Sequence, residues 1–396
     1  MNVTPSPSGG TAGSDAIPAR RAPFLPNVLF FPAAALHAAV VLPWSVLCMT
    51  GVVVGPAALS TGFGHAREML LGYALAVVAG HQLPPMPAPR AVLLFALWVL
   101  ARAAFVALPG SVASILDVLF VAALGLHVAP RLFRAAKKLR NQALPGILAA
   151  LCAGAISYDV AAYAAGAATL RAILTAVVLL LAALMLFMGG RIIAPAAAGQ
   201  FYRQGQPLAA RVQPRIEGWL MIAMTTAVVA AVVPRLELLM RVACAGAAAL
   251  ALVRLLRWRL WACRRRPDLV CLGAGYGWLA LGLSAMAIAG AGADRTAALH
   301  ILTVGALGTL TFNVMGATFL RKARRDPAAE PRLAWGTVLI GAATVSRVAA
   351  AMAPAVSVGL LVVAAACWMG AFLALSWLFA ESFLTRRRKR RTTASA

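Results

Sequence analysis

Apolar segments of roughly 20 residues follow one another along the chain, separated by short stretches of proline, glycine and arginine. The segments are continuous and lack the two-residue alternation of a barrel strand, so helices are the expected form. A bilayer core of about 30 Å needs about 20 apolar residues in a helix to span it. The pattern predicts twelve helices, at 26–49, 65–84, 91–108, 111–129, 144–165, 168–189, 216–233, 236–255, 269–291, 297–320, 333–353 and 355–380. Pro84, Pro85 and Pro87 close the second, Pro109-Gly110 parts the third from the fourth, and Pro267 precedes the ninth. The fold class expected is an all-α polytopic membrane helix bundle with about twelve transmembrane helices.

Composition agrees with this reading. The 396 residues are 62% hydrophobic and 12% charged, where a soluble domain is nearer half apolar and a quarter charged. Residues 1–22, rich in Ser, Gly, Pro and Ala, read as a disordered tail; 23–384 read as one membrane domain and 385–396 as a basic tail. The net charge of +25 does not point to nucleic acid. Of 36 lysines and arginines, 29 fall in the two tails and in the loops after every even-numbered helix. The remainder are Arg67, Arg102, Arg171, Arg235, Arg241, Arg295 and Arg347. That bias places both termini in the cytoplasm, with the basic loops against anionic lipid. The six cysteines form no CxxC pair and read as packing residues.

Polar groups inside the apolar segments carry the candidate chemistry. His65, in GHAREMLLG, and His300, in ALHILTVGALGTLTFNVM, each lie in the first turn of a predicted helix. Both helices run inward, so the two imidazoles share one depth, which suits a bis-imidazole haem or another metal site. Glu68 follows His65 by three residues and is placed to orient its ring. Gly305 and Gly308 leave room for a neighbouring helix or a flat ring. The competing reading makes both histidines interfacial hydrogen-bonding residues. His81 and His127, at the opposite ends of helices 2 and 4, form a possible second metal site; His37, mid-span, reads as a bonded packing residue.

The buried charges expected are Arg102, Asp117, Asp159 and Arg171, with Arg347 also inside a segment. Arg102 and Asp117 flank a tight turn and are a natural pair; Asp159 and Arg171 flank another. Such pairs serve either helix packing or a proton path, and an arginine can also neutralise a haem propionate. No Walker A loop, HExxH, GxSxG or kinase set occurs, and no nucleophile–base pair marks an enzyme. GAGYG (273–277) falls inside a helix and reads as close packing.

Five strings in order resemble the NnrS family. GHAREMLLG resembles that family's WHAHEMLFG element, LFALWVLARAAF its LWLLGRLA, and MGGRIIAP its GGRIIP. RRPDLVCLGAGYGWLALG resembles RRPLLWVLHLGYAWLPLG, and ALHILTVGALGTLTFNVM resembles ALHALTVGAIGTMTLAVM. The resemblance implies a twelve-span protein of the bacterial cell inner membrane, tied to nitric oxide metabolism and nitrosative stress, with haem and copper as cofactors. It assigns His65 and His300 as cofactor ligands. Arg67 stands where the family has a second histidine, beside the cofactor; Gly273 and a position near Lys322 replace two more. These losses leave two axial imidazoles for a haem and few ligands for copper. Two other readings stay open: a transporter or channel-like protein built on the buried Arg/Asp pairs, and a non-catalytic partner of a respiratory or denitrification assembly.

Overall fold

The structure is a computed structural model. It describes residues 23–394 apart from 109, 138 and 291, and the side chains of 139, 140 and 386–394 are not described. The proposed tail at 1–22, Pro109 of the predicted turn, and the side chains of Arg386–Arg391 therefore lie outside the described residues. Among the described residues there is no strand, only an isolated bridge between Phe24 and Met86. Helical rods follow each other in the order α1 (Asn27–Met49), α2 (62–82), α3 (Ala88–Ala107), α4 (Gly110–Ala135), α5 (Leu139–Ala164) and α6 (Ala167–Arg203). The second half holds α7 (Pro214–Ala231), α8 (Glu237–Arg257), α9 (Pro267–Ile288), α10 (Ala293–Lys322), α11 (Pro331–Met352) and α12 (Ser357–Ala394). Among the described residues, ten stretches are long and apolar enough to cross a membrane, which makes this a multi-pass membrane protein. The helices α2 and α7 are not among those ten; they carry the pairs Arg67–Glu68 and Arg215–Glu217.

Prolines in the first turns of α7, α9 and α11 start helices where a missing N–H costs nothing. Thr61 caps α2, its hydroxyl accepting from the Gly64 N–H at 3.0 Å. Consecutive helices pack side by side, and α12 returns to α1 to close the bundle. More than half of the spanning stretch is buried in α1, α6, α9 and α10, against a third in α5, α8, α11 and α12. The first group forms the centre with α2; the outer helices show leucine and valine to lipid, as at Leu238, Val345 and Leu373.

Several boundaries differ from the sequence expectation: α4 runs on to Ala135 rather than 129, α5 begins at Leu139 rather than 144, and α12 runs on to Ala394 rather than 380. The helix predicted to stop at 189 continues to Arg203, through Pro195, giving a 37-residue rod of about 56 Å. Gly189-Gly190 does not break it, because two side chains fill the space these glycines leave. Tyr276 packs over Gly189 and the Arg254 guanidinium over Gly190. Arg254, almost fully buried on α8, donates to the Leu186 carbonyl at 2.9 Å and to Glu217 of α7 at 2.7 Å.

The most unusual local geometry lies in α2 and α10. Each contains a π-helical stretch, Glu68–Ala74 in α2 and Ile301–Gly308 in α10. Each begins within a turn after a histidine, His65 or His300. Wide turns of this kind are rare and gather at functional sites.

Candidate functional site

The two histidines come together at one end of the bundle. His65, half-buried on α2, has Nδ1 3.3 Å from the Ser45 hydroxyl of α1. Ser45 is held in turn, donating to the Leu59 carbonyl at 2.8 Å. His300, half-buried on α10, has Nδ1 2.7 Å from the Thr296 carbonyl. A carbonyl only accepts, so Nδ1 of His300 carries its proton and Nε2 keeps a lone pair. The two imidazoles lie within electrostatic reach of each other, and Arg347 of α11 within reach of both. Among the described residues Arg347 has no carboxylate partner. The room foreseen at Gly305 and Gly308 is taken by two indoles, Trp278 and Trp368, which pack directly on those glycines. Gly273 and Gly275 of GAGYG abut Leu260 and Leu310 in the same way.

Arg67 and Glu68 do not face this histidine pair, contrary to the sequence expectation. Both turn into a buried charge cluster assembled from α1 to α5. Arg102 of α3 donates from Nη1 to Glu68 Oε1 at 2.6 Å and from Nη2 to Asp117 Oδ1 of α4. Arg67 reaches Asp117 Oδ2 at 2.5 Å and donates from Nε to Asp159 Oδ1 of α5 at 3.0 Å. Ser114 also donates to Asp159 Oδ1, at 3.1 Å. His37 of α1 completes the set, with Nε2 3.4 Å from Glu68 Oε2 and 3.3 Å from the Glu68 carbonyl. Phe105 stacks under the Arg67 guanidinium at 4.5 Å, and the edge of Trp98 meets the His37 ring. All six of these titratable residues are under a tenth exposed. Gly72, one turn beyond Glu68, admits both Arg102 Nη1 and His37 Nε2, each only 3.0 Å from where a Cβ would sit.

Two causes redirect Glu68. Its carboxylate is drawn to Arg102, which donates to it at 2.6 Å, and the π-turn that starts at Glu68 breaks the 3.6-residue register placing it beneath His65. The predicted pairing of Asp159 with Arg171 also fails. Asp159 is taken by Arg67, while Arg171 is exposed, so it is not a buried charge. Arg171 sits in the second turn of α6, near the bundle surface, where water or headgroups solvate it.

His81 and His127 are not brought to a common site. His81 lines a half-open cleft of about 90 Å³ with Gln82, Met185, Met188 and Thr311, between α2, α6, α9 and α10. His127, exposed on α4, bonds through Nδ1 to the Ala123 carbonyl of its own helix at 2.8 Å. Among the described residues no three histidine, cysteine, aspartate or glutamate side chains stand together as a metal cluster.

Compared with known proteins, the chain matches the family model described as NnrS protein over residues 21–388. No curated protein matches it.

Proposed function

The chain belongs to the NnrS family, and from that premise we propose that it is a twelve-span protein of the bacterial inner membrane that acts in nitric oxide metabolism or nitrosative stress through a haem held by His65 and His300. One observation carries this reading. Two imidazoles on separate helices are each engaged at Nδ1, which leaves both Nε2 atoms as the available ligands. The second support is Arg347. A guanidinium inside a span without a carboxylate is costly, and a haem propionate is the counter-charge that this place lacks. Haem, when bound, supplies an iron that binds nitric oxide or carries one electron. Ser45 holds the His65 ring and the Thr296 carbonyl holds the His300 tautomer, and Arg347 would pair with the carboxylates of a bound haem. Copper is not part of the proposal, because the donors around the histidine pair are too few for it. The lysine and arginine bias of the loops supports cytoplasmic termini.

The test is an optical spectrum of the detergent-purified protein after haem supplementation, before and after dithionite and then nitric oxide. A bis-imidazole spectrum that disappears in both His65→Ala and His300→Ala is expected. A colourless wild-type protein, or a spectrum untouched by either substitution, would refute the assignment.

A further inference from the structure

The half-open cleft between α2, α6, α9 and α10 is used by neither the histidine pair nor the charge cluster. Its walls are aliphatic, as at Val77, Leu181, Ile192 and Leu310, and no lysine, arginine, aspartate or glutamate among the described residues lines it. A concave, mostly apolar space with a few polar groups is the usual form of a small-molecule site. Three polar side chains reach this one, and their hydrogen bonds rank them. Thr311 is already engaged: its hydroxyl donates to the Leu307 carbonyl at 2.5 Å, so it accepts from Tyr73 at 2.5 Å. Gln82 gives its amide only to a thioether, Met188 Sδ at 4.0 Å, and its Oε1 has no partner among the described residues. His81, exposed in the last turn of α2, makes no hydrogen bond among the described residues.

The free hydrogen-bonding capacity is therefore gathered at one end of an apolar space, on two neighbouring residues. An imidazole and a primary amide each donate as well as accept. Such a pair suits an oxygen that is a carbonyl in one form of its ligand and a hydroxyl in another. A phosphate or carboxylate head would call for a fixed cation, and the lining holds none. Met185 and Met188, three residues apart on one face of α6, both line the cleft, and thioether sulfur packs favourably against flat π-rings. A closed apolar cavity of roughly 150 Å³ takes a benzene. At about 90 Å³ and open on one side, the cleft admits a single ring whose substituents stay toward the opening.

We infer that this cleft binds the ring of a membrane quinone or quinol, with one ring oxygen on His81 and Gln82, the ring against Met185 and Met188, and the apolar tail leaving through the open side. The site needs neither haem nor nitric oxide, so it stands or falls separately from the function proposed above. The test uses the full chain in phosphatidylcholine nanodiscs, a photoreactive azidobenzoquinone as label and decylubiquinone as competitor, with labelled peptides mapped by mass spectrometry. Label is expected on the cleft-lining stretches of α2 or α6, removed by excess decylubiquinone and not by excess palmitate. That result needs no substitution. Changing both His81→Leu and Gln82→Leu is expected to weaken decylubiquinone competition about tenfold, the loss of two modest hydrogen bonds. His81→Gln, which keeps a donor and an acceptor, is expected to stay near wild type. Label outside the cleft, label that decylubiquinone does not remove, or label that palmitate removes equally well, as from a groove for lipid tails, would overturn the inference. So would a folded double variant that binds like wild type.

Discussion

Replacing Arg102 by methionine keeps most of the side-chain volume and removes the cation that donates hydrogen bonds to both Glu68 and Asp117. Both carboxylates contacted by Arg102 are at most 1% exposed, so water does not replace the lost hydrogen bonds. Removing one partner of a buried ion pair costs about 3–5 kcal/mol, or roughly a 150- to 4,000-fold shift toward the unfolded state. The unfolded chain in a membrane finds partners of its own, which favours the lower end. Adding Asp117→Leu removes one of the two carboxylates that lose this partner, and the double variant is expected to recover part of the loss. Reversible unfolding in mixed micelles, read by tryptophan fluorescence at neutral pH, measures all three chains. The deficit of the single variant is expected to shrink as pH falls, because protonation discharges the stranded carboxylates. A single variant losing less than about 1 kcal/mol, the level of an exposed pair, would refute the argument. So would a double variant that simply adds two penalties.

Two further outcomes follow from local geometry. In Gly64→Ala the new Cβ would overlap the Ala58 carbonyl, a backbone atom that cannot swing aside. The variant is expected to lose about 1–3 kcal/mol and to weaken haem uptake at the site proposed on the adjacent His65, whereas Gly62→Ala, which opens onto empty space, changes neither; thermal unfolding and haem titration separate the two. Glu330, at the start of α11, has its carboxyl held below the ordinary range, chiefly by the hydrogen bond from Arg332, with the Arg332 and Arg325 charges adding to it. Its native state binds a proton more weakly than the unfolded chain does, so its contribution is complete above the ordinary carboxylate range and fades as pH falls through the depressed value. Glu330→Gln is therefore expected to be about 1 kcal/mol less stable than wild type at neutral pH and equal to it in acid, as read from unfolding curves across that range.

Helix positions were legible because apolar length is a one-dimensional signal, and the rods α1 to α12 fall close to the predicted segments. The contact between Arg102 and Asp117 was legible for the same reason, since a short turn makes α3 and α4 neighbours. What the sequence hid was any contact depending on a distant partner. Arg67 meets Asp159 across 92 positions, and nothing in spacing or composition names that partner. Arg67 looked like a lost ligand because it replaces a histidine, yet it has become the second cation of the cluster. Glu68 was misplaced because helical periodicity assumes one turn size. His81 and His127 share only their place near predicted helix ends; their faces diverge, one lining a cleft and the other lying on the surface.

The wide turns in α2 and α10 also change how these two helices should be counted. A π-turn holds one residue more than an α-turn, so the helix before it and the helix after it are out of phase by about 100°. Each rod is in effect two helices spliced with an offset, and the offset lets one half aim a histidine at its neighbour while the other half keeps its apolar face to the core. Excising a single residue from Glu68–Ala74 would leave the composition almost unchanged. It would nonetheless swing the Thr61–Arg67 end a quarter-turn away from Ser45 and Asp159. For this chain a one-residue deletion inside these turns is a larger change than most substitutions, because what it removes is the phase between two surfaces.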